Sequence, residues 1–207
     1  SDINQVIFDL APEVVANINN APILAQVGAT NPLVSHTKLL DDLWNAGVSG
    51  INPFMMNIYG AEIMEQMQQI GMGWDKEADL IGEAHKKNMF ALEYAFTPEE
   101  ARILAENGCP CISSHVGSTV GGMKGAKSKL SLDDAVELTQ EVFDAALSVN
   151  PDIILFAHGG PMKGPKEAEY VVRKTNAHGF IGGSAAERIP IEKAVLEATK
   201  EYKAVTK

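Results

Sequence analysis

The chain has 207 residues, 45% hydrophobic and 21% charged, the composition of an ordinary globular domain with one sizeable core. Its formal charge of −10, from 17 Lys and Arg against 27 Asp and Glu, argues against nucleic acid or an anionic membrane as a general partner, because both need clustered cations. No apolar run approaches the roughly 18 residues of a membrane span, and no signal-peptide pattern opens the chain, so a cytoplasmic protein is expected.

In chain order, Ile3, Val6, Ile7, Leu10, Val14, Val15 and Ile18 recur close to a 3.6 period, which predicts a helix over 1–20 starting almost at the first residue. Residues 21–28 read as a short buried strand, and 35–46 as a helix closed by Gly47. A second strand covers 48–54, a loop 55–60, and helices 61–70 and 75–88. The third strand is MFALEYAF, residues 89–96. Thr97-Pro98-Glu99-Glu100 is a helix start: Thr97 caps, Pro98 suits the first helical position and Glu100 completes the box. The fourth strand covers 109–115, and a glycine-rich loop follows to Ser128. A second capping box at Ser131–Asp134 opens a helix to about Val149. Strands at 152–158 and 178–183, with helices at 165–175 and 187–205, complete the order.

Strands alternating with helices at about 30-residue spacing imply parallel strands joined by right-handed crossovers. A doubly wound sheet would carry a glycine fingerprint after its first strand. The expected fold is instead a TIM (β/α)8 barrel, and six units behind a leading helix suggest a single domain lacking its first one to two β/α units. Such a barrel exposes sheet edges, so a homo-oligomer is expected. Cys109 and Cys111, two apart in an extended segment, are expected to share a face as reduced, buried thiols. The five methionines between Met55 and Met72 read as core filling.

Three consecutive strands end in polar or glycine residues: Ser113-Ser114-His115-Val116-Gly117, His158-Gly159-Gly160 and Gly182-Gly183-Ser184. In a barrel these ends share the ligand-binding face. His115 and His158 end their strands in the same phase and are the acid/base candidates, with Glu187 or Glu93 as a third group. Gly117, Gly159, Gly160, Gly183 and Ser184 are expected to hold an anion, which Arg188 would neutralise. His36, His85 and His178 lie elsewhere on their elements and read as structural. The loop GSTVGGMKGAKS fails the phosphate-loop spacing, although Lys124 or Lys127 could still meet an anion from a flap.

SHVGSTVGGMKGAKS, a long helix, NPDIILFAHGGP and then HGFIGGSAAERIPIE together resemble the phosphoenolpyruvate-hydrolase-like family, also described as TIM-barrel signal-transduction proteins. QQIGMGWDKEADLIGEAHKKN matches that family as well. The resemblance covers essentially the whole chain. It implies a barrel preceded in the family by a further strand–helix–strand segment. It also implies similarity to phosphoenolpyruvate mutase and isocitrate lyase, which act on small oxo-acids with magnesium. No matching acidic metal cluster is read here, so a divalent metal such as magnesium stays open. The expected function is lyase- or hydrolase-like acid/base chemistry on a small phosphorylated or carboxylated oxo-acid. The alternative is a non-catalytic ligand-sensing or protein-interaction domain.

Overall fold

The computed structural model describes residues 2–205, so the expected helix start at Ser1 lies outside the described residues. Six parallel strands stand in sequential order, β1 (Leu24–Val27), β2 (Gly50–Pro53), β3 (Phe90–Ala95), β4 (Cys111–His115), β5 (Ile154–His158) and β6 (Gly179–Phe180). Helices connect them: α1 (Ile3–Asn17), α2 (His36–Asn45), α3 (Ala61–Gln69), α4 (Asp75–Lys86), α5 (Pro98–Glu106), α6 (Leu132–Leu147), α7 (Pro165–Lys174), α8 (Gly183–Ala186) and α9 (Ile189–Lys203). A single 3-10 turn, Met56–Tyr59, sits between β2 and α3. Sequential order with no switch point is barrel topology and not a doubly wound sheet. Gln26 on β1 and His158 on β5 line one cavity although three strands, and so four inter-strand spacings, stand between them. A flat sheet would hold them roughly 19 Å apart at the usual strand spacing, so the sheet curls into a partial TIM barrel.

Alternation sorts the side chains into two layers. Leu24, Leu92, Tyr94, Cys111, Phe156 and Ile181 pack together inside the curl. Ala25, Val27, Ile51, Ala91, Ala95, Ile112 and Leu155 face the helices and form the main core with Leu40, Leu43, Leu80, Leu104 and Phe143. The register is in step across the middle of the sheet: Tyr94 pairs with Ser113 and Ser113 with Phe156, and two residues on, His115 pairs with His158. The two strand-end histidines therefore belong to one inward-facing layer.

The start signals at 97 and 131 behave as expected. The Thr97 hydroxyl accepts from the Glu100 amide at 3.2 Å, and Ser131 and Asp134 cap each other reciprocally. The cysteines do not share a face. Both are free and buried, but β4 begins only at Cys111, and Pro110 redirects the chain so that Cys109 joins the helix-facing core while Cys111 points inside. The methionines do not fill the core: Met55, Met56, Met64, Met67 and Met72 are all half-exposed, and α3 buries none of its residues. The expected final helix at 187–205 begins only at Ile189, as α9, behind a separate short helix, α8, and the expected strand at 178–183 shrinks to the two residues of β6. No helix among the described residues is long and apolar enough to cross a membrane.

Candidate active site

The three strand ends converge as the sequence implied. A cavity of about 290 Å³ at the C-terminal mouth is lined by Gln26, Tyr94, His115, His158 and Glu187, with Ser118, Thr119, Gly183 and Ser184 on one rim and Met55 and Ile58 on the other. A larger hollow of about 510 Å³ lies among His36, Glu83, His85 and Asn107 on the helical layer, and no strand residue reaches it.

The two imidazoles lie with ring centres 4.9 Å apart and their planes tilted by 53°. Tyr94 contacts both, at 5.5 Å from His115 and 5.0 Å from His158, and Phe96 stacks on His115 at 4.3 Å. Each ring is fixed by one backbone group, and the two groups are of opposite kind. The Gly117 amide donates to His115 Nδ1 at 3.2 Å. That nitrogen must then be the acceptor, which puts the proton of a neutral His115 on Nε2. His158 Nδ1 lies 2.8 Å from the Ile181 carbonyl, which can only accept. His158 therefore carries its proton on Nδ1 and leaves Nε2 as a free lone pair.

Both rings stay neutral at neutral pH. Burial pushes the His115 imidazolium down to about 3, and His158 beside it adds to the shift. Burial also lowers His158, against the opposing pull of the Ile181 carbonyl and the Glu187 charge. The Tyr94 hydroxyl is driven up to about 12 by burial and by Glu93 and Glu187, so it remains a donor. The centre thus offers an acceptor at His158 Nε2 and donors at His115 Nε2 and Tyr94, with Glu187 placed to compensate an imidazolium that forms on His158.

The glycine-turn residues divide. Gly183 and Ser184 line the cavity, whereas Gly117, Gly159, Gly160 and Arg188 do not. Gly159, at φ +84°, packs so closely on the β4 loop that an added Cβ would meet the Gly117 carbonyl at 2.2 Å. The Gly160 amide is spent on the same carbonyl at 2.6 Å. These two glycines seat the β4 loop against the β5 mouth and are corrected from anion ligands to packing residues. Arg188 is corrected as well: its guanidinium donates to the Gly121 carbonyl at 3.1 Å and pairs with Glu192, whose other oxygen accepts from the Met123 amide at 2.6 Å. It holds the 117–128 loop to α9 and does not face a ligand. Glu93 points to the helical layer, away from the histidines, as its position between Leu92 and Tyr94 requires.

Sequence reasoning missed Gln26, Tyr94, Ser118 and Thr119. Tyr94 could have been found, because alternation along MFALEYAF puts Leu92, Tyr94 and Phe96 on the face opposite Glu93.

A divalent magnesium ion would need several hard oxygen ligands in octahedral array. The cavity contributes one carboxylate, Glu187, and among the described residues no group of three His, Cys, Asp or Glu side chains is arranged to hold a metal. The donor set does not fit that ion.

A family model described as phosphoenolpyruvate hydrolase-like matches residues 1–205. The ToMV susceptible protein tm-1 and the ToMV resistance protein Tm-1, both of Solanum lycopersicum, are 35% and 34% identical to the chain over 208 residues, covering all of it. The chain spans 28% of the length of each. Among solved structures, the HMG-CoA lyase of Brucella melitensis superposes with a TM-score of 0.51 at 17% identity, over 82% of this chain and 60% of that one. That likeness concerns the barrel fold alone.

Proposed function

The chain belongs to the phosphoenolpyruvate hydrolase-like family, and from that premise we propose that the strand-mouth cavity is an active site for proton transfer next to the carbonyl of a small oxo-acid. The observation that carries this reading is the pair of neutral imidazoles in opposite tautomers, one backbone-fixed as acceptor and the other as donor. His158 Nε2 would take a proton from the carbon beside the carbonyl. His115 Nε2–H and the Tyr94 hydroxyl would donate to the carbonyl oxygen as negative charge develops there. Glu187 would offset the positive charge gained by His158.

The acid group of the substrate would meet neutral donors: the Gln26 amide and the hydroxyls of Ser118, Thr119 and Ser184. Among the described residues lining the cavity there is no Lys or Arg. A singly charged carboxylate suits such a lining better than a phosphate dianion, whose desolvation calls for paired cations. We therefore place carboxylated oxo-acids ahead of phosphorylated ones.

The direct test is proton NMR of a panel of 2-oxo acids incubated with the protein in deuterium oxide. Enzyme-dependent exchange of the protons beside the carbonyl is expected for at least one of them. Binding seen by chemical-shift perturbation, with no exchange for any member, would reject catalysis and favour a ligand-sensing role.

A further inference from the structure

Behind β3, on the face turned away from the cavity, three carboxyl groups meet without a cation. Glu77 of α4 and Glu93 of β3 are fully buried, and Glu100 of α5 approaches from the side. Glu77 Oε2 and Glu93 Oε2 are buried with no hydrogen-bond partner, and so is Asp75 Oδ1 at the start of α4. The cation nearest in sequence, Lys76, is held by Asp75 and Asp79.

The paired oxygens of this cluster all hold the wall of the cavity. Glu77 Oε1 accepts from the Met56 amide at 2.9 Å, and the Asn57 side chain reaches Glu100. Glu100 Oε2 accepts from the Phe96 amide and Glu93 Oε1 from the Tyr94 amide, each at 2.7 Å. Met56 and Asn57 lie between Met55 and Ile58, which line the cavity, and Tyr94 and Phe96 contact its histidines.

We propose that Glu77, Glu93 and Glu100 form a proton-loaded latch: while the cluster is uncharged it pins the 55–59 wall against β3, and its ionisation frees that wall. This rests on reading the cavity as the functional site, but the latch itself can be tested without any substrate. Burial and the mutual repulsion of the carboxyls favour the uncharged cluster, against the Met56, Tyr94 and Phe96 amides and the Asn57 side chain, whose donated hydrogen bonds favour charge. From β3 comes Glu93, from α4 Asp75 and Glu77, from α5 Glu100, from the segment before β4 the Cys109 thiol, and from the 55–59 wall the neutral Asn57. Burial, first, and the Glu100 charge raise Glu77 from 4.5 to about 8. Burial and the Glu77 charge push Glu93 well above its ordinary range.

A carboxyl raised on folding is penalised as pH climbs from its unfolded value towards its folded one, here from 4.5 to about 8 for Glu77. The buried histidines act oppositely and only below their unfolded value of 6.5. The interval from pH 6.5 to 8 therefore isolates the carboxyls.

Hydrogen exchange of the full chain, corrected for intrinsic rates, reads the latch at the Met56 amide. Its protection relative to the β4 amides is expected to fall at least tenfold between pH 6.5 and 8.5, since one linked proton changes the opening equilibrium about tenfold per pH unit. In Glu77→Gln, which keeps an acceptor for Met56 but cannot ionise, that fall should be reduced to less than threefold. Glu100→Gln supplies a second readout should the first variant fold poorly, with the same reduction expected at Asn57. An identical pH response in wild type and variants would overturn the proposal. So would recovery of protection at pH 8.5 on adding calcium or magnesium chloride alone, because the cluster would then be a cation site.

Discussion

His158→Gln is expected to lower the rate of exchange next to the carbonyl by about 10²- to 10⁴-fold, the range over which a positioned general base contributes. The substitution keeps a donor for the Ile181 carbonyl, which His158 Nδ1 now meets at 2.8 Å. It removes the free lone pair at Nε2. Gln cannot cycle a proton, so ligand affinity should change much less than rate. His115→Gln should also lose rate, through its missing donor to the carbonyl oxygen. Because the two groups act on one transition state, the double variant should be little slower than the slower single one. Each rate is measured by deuterium incorporation, with far-UV circular dichroism to establish folding. Exchange in His158→Gln within a factor of three of wild type would remove His158 from the mechanism.

Gly159→Ala carries the largest expected effect on stability. Gly159 sits at φ +84°, where a side chain costs about 1–2 kcal/mol. The new Cβ would also lie 2.2 Å from the Gly117 carbonyl, an atom that cannot swing away because it already accepts from the Gly160 amide. Strain and overpacking together should cost roughly 2–5 kcal/mol. Gly117→Ala is the matched control. Its φ of +104° is equally unfavourable, but nothing lies within 4 Å of the added Cβ, so only the conformational penalty of about 1–2 kcal/mol is expected. Urea denaturation of both variants separates the two contributions. Equal losses would mean that the contact between the β4 loop and the β5 mouth is unimportant.

The barrel was legible because strands buried on both faces announce themselves as apolar runs, and DIILFAHGGP shows one ending in a histidine and two glycines. The convergence of His115 and His158 followed from equal phase at two strand ends, and the register pairs them directly. What those ends do was less legible. Gly159 and Gly160 can meet a ligand or another backbone, and a glycine pair in a sequence does not distinguish these. Arg188 could have neutralised a ligand, but its i,i+4 partner Glu192 and the Gly121 carbonyl claim it first. The buried carboxyl latch ran against the local pattern. Glu77 stands in an acidic helix start, DKEADL, where charge ordinarily faces water, and only the packing of α4 on β3 puts it inside. The methionines between Met55 and Met72 were misjudged for the converse reason. Apolar residues usually signal core, yet α3, which carries Met64 and Met67, buries none of its residues, and Met55, Met56 and Met72 on either side of it are half-exposed too.

The proposed chemistry at this mouth depends on two imidazoles that remain neutral in opposite tautomers. Nitrogen-15 NMR of the histidine side chains, followed from pH 8 down to pH 5, measures that state directly and needs no substrate. At pH 8 His115 should carry its proton on Nε2 and His158 on Nδ1; His115 should stay neutral down to pH 5, and His158 should titrate below the ordinary imidazole value of 6.5. Matching tautomers, or a midpoint near 6.5 for either ring, would contradict the acid/base assignment.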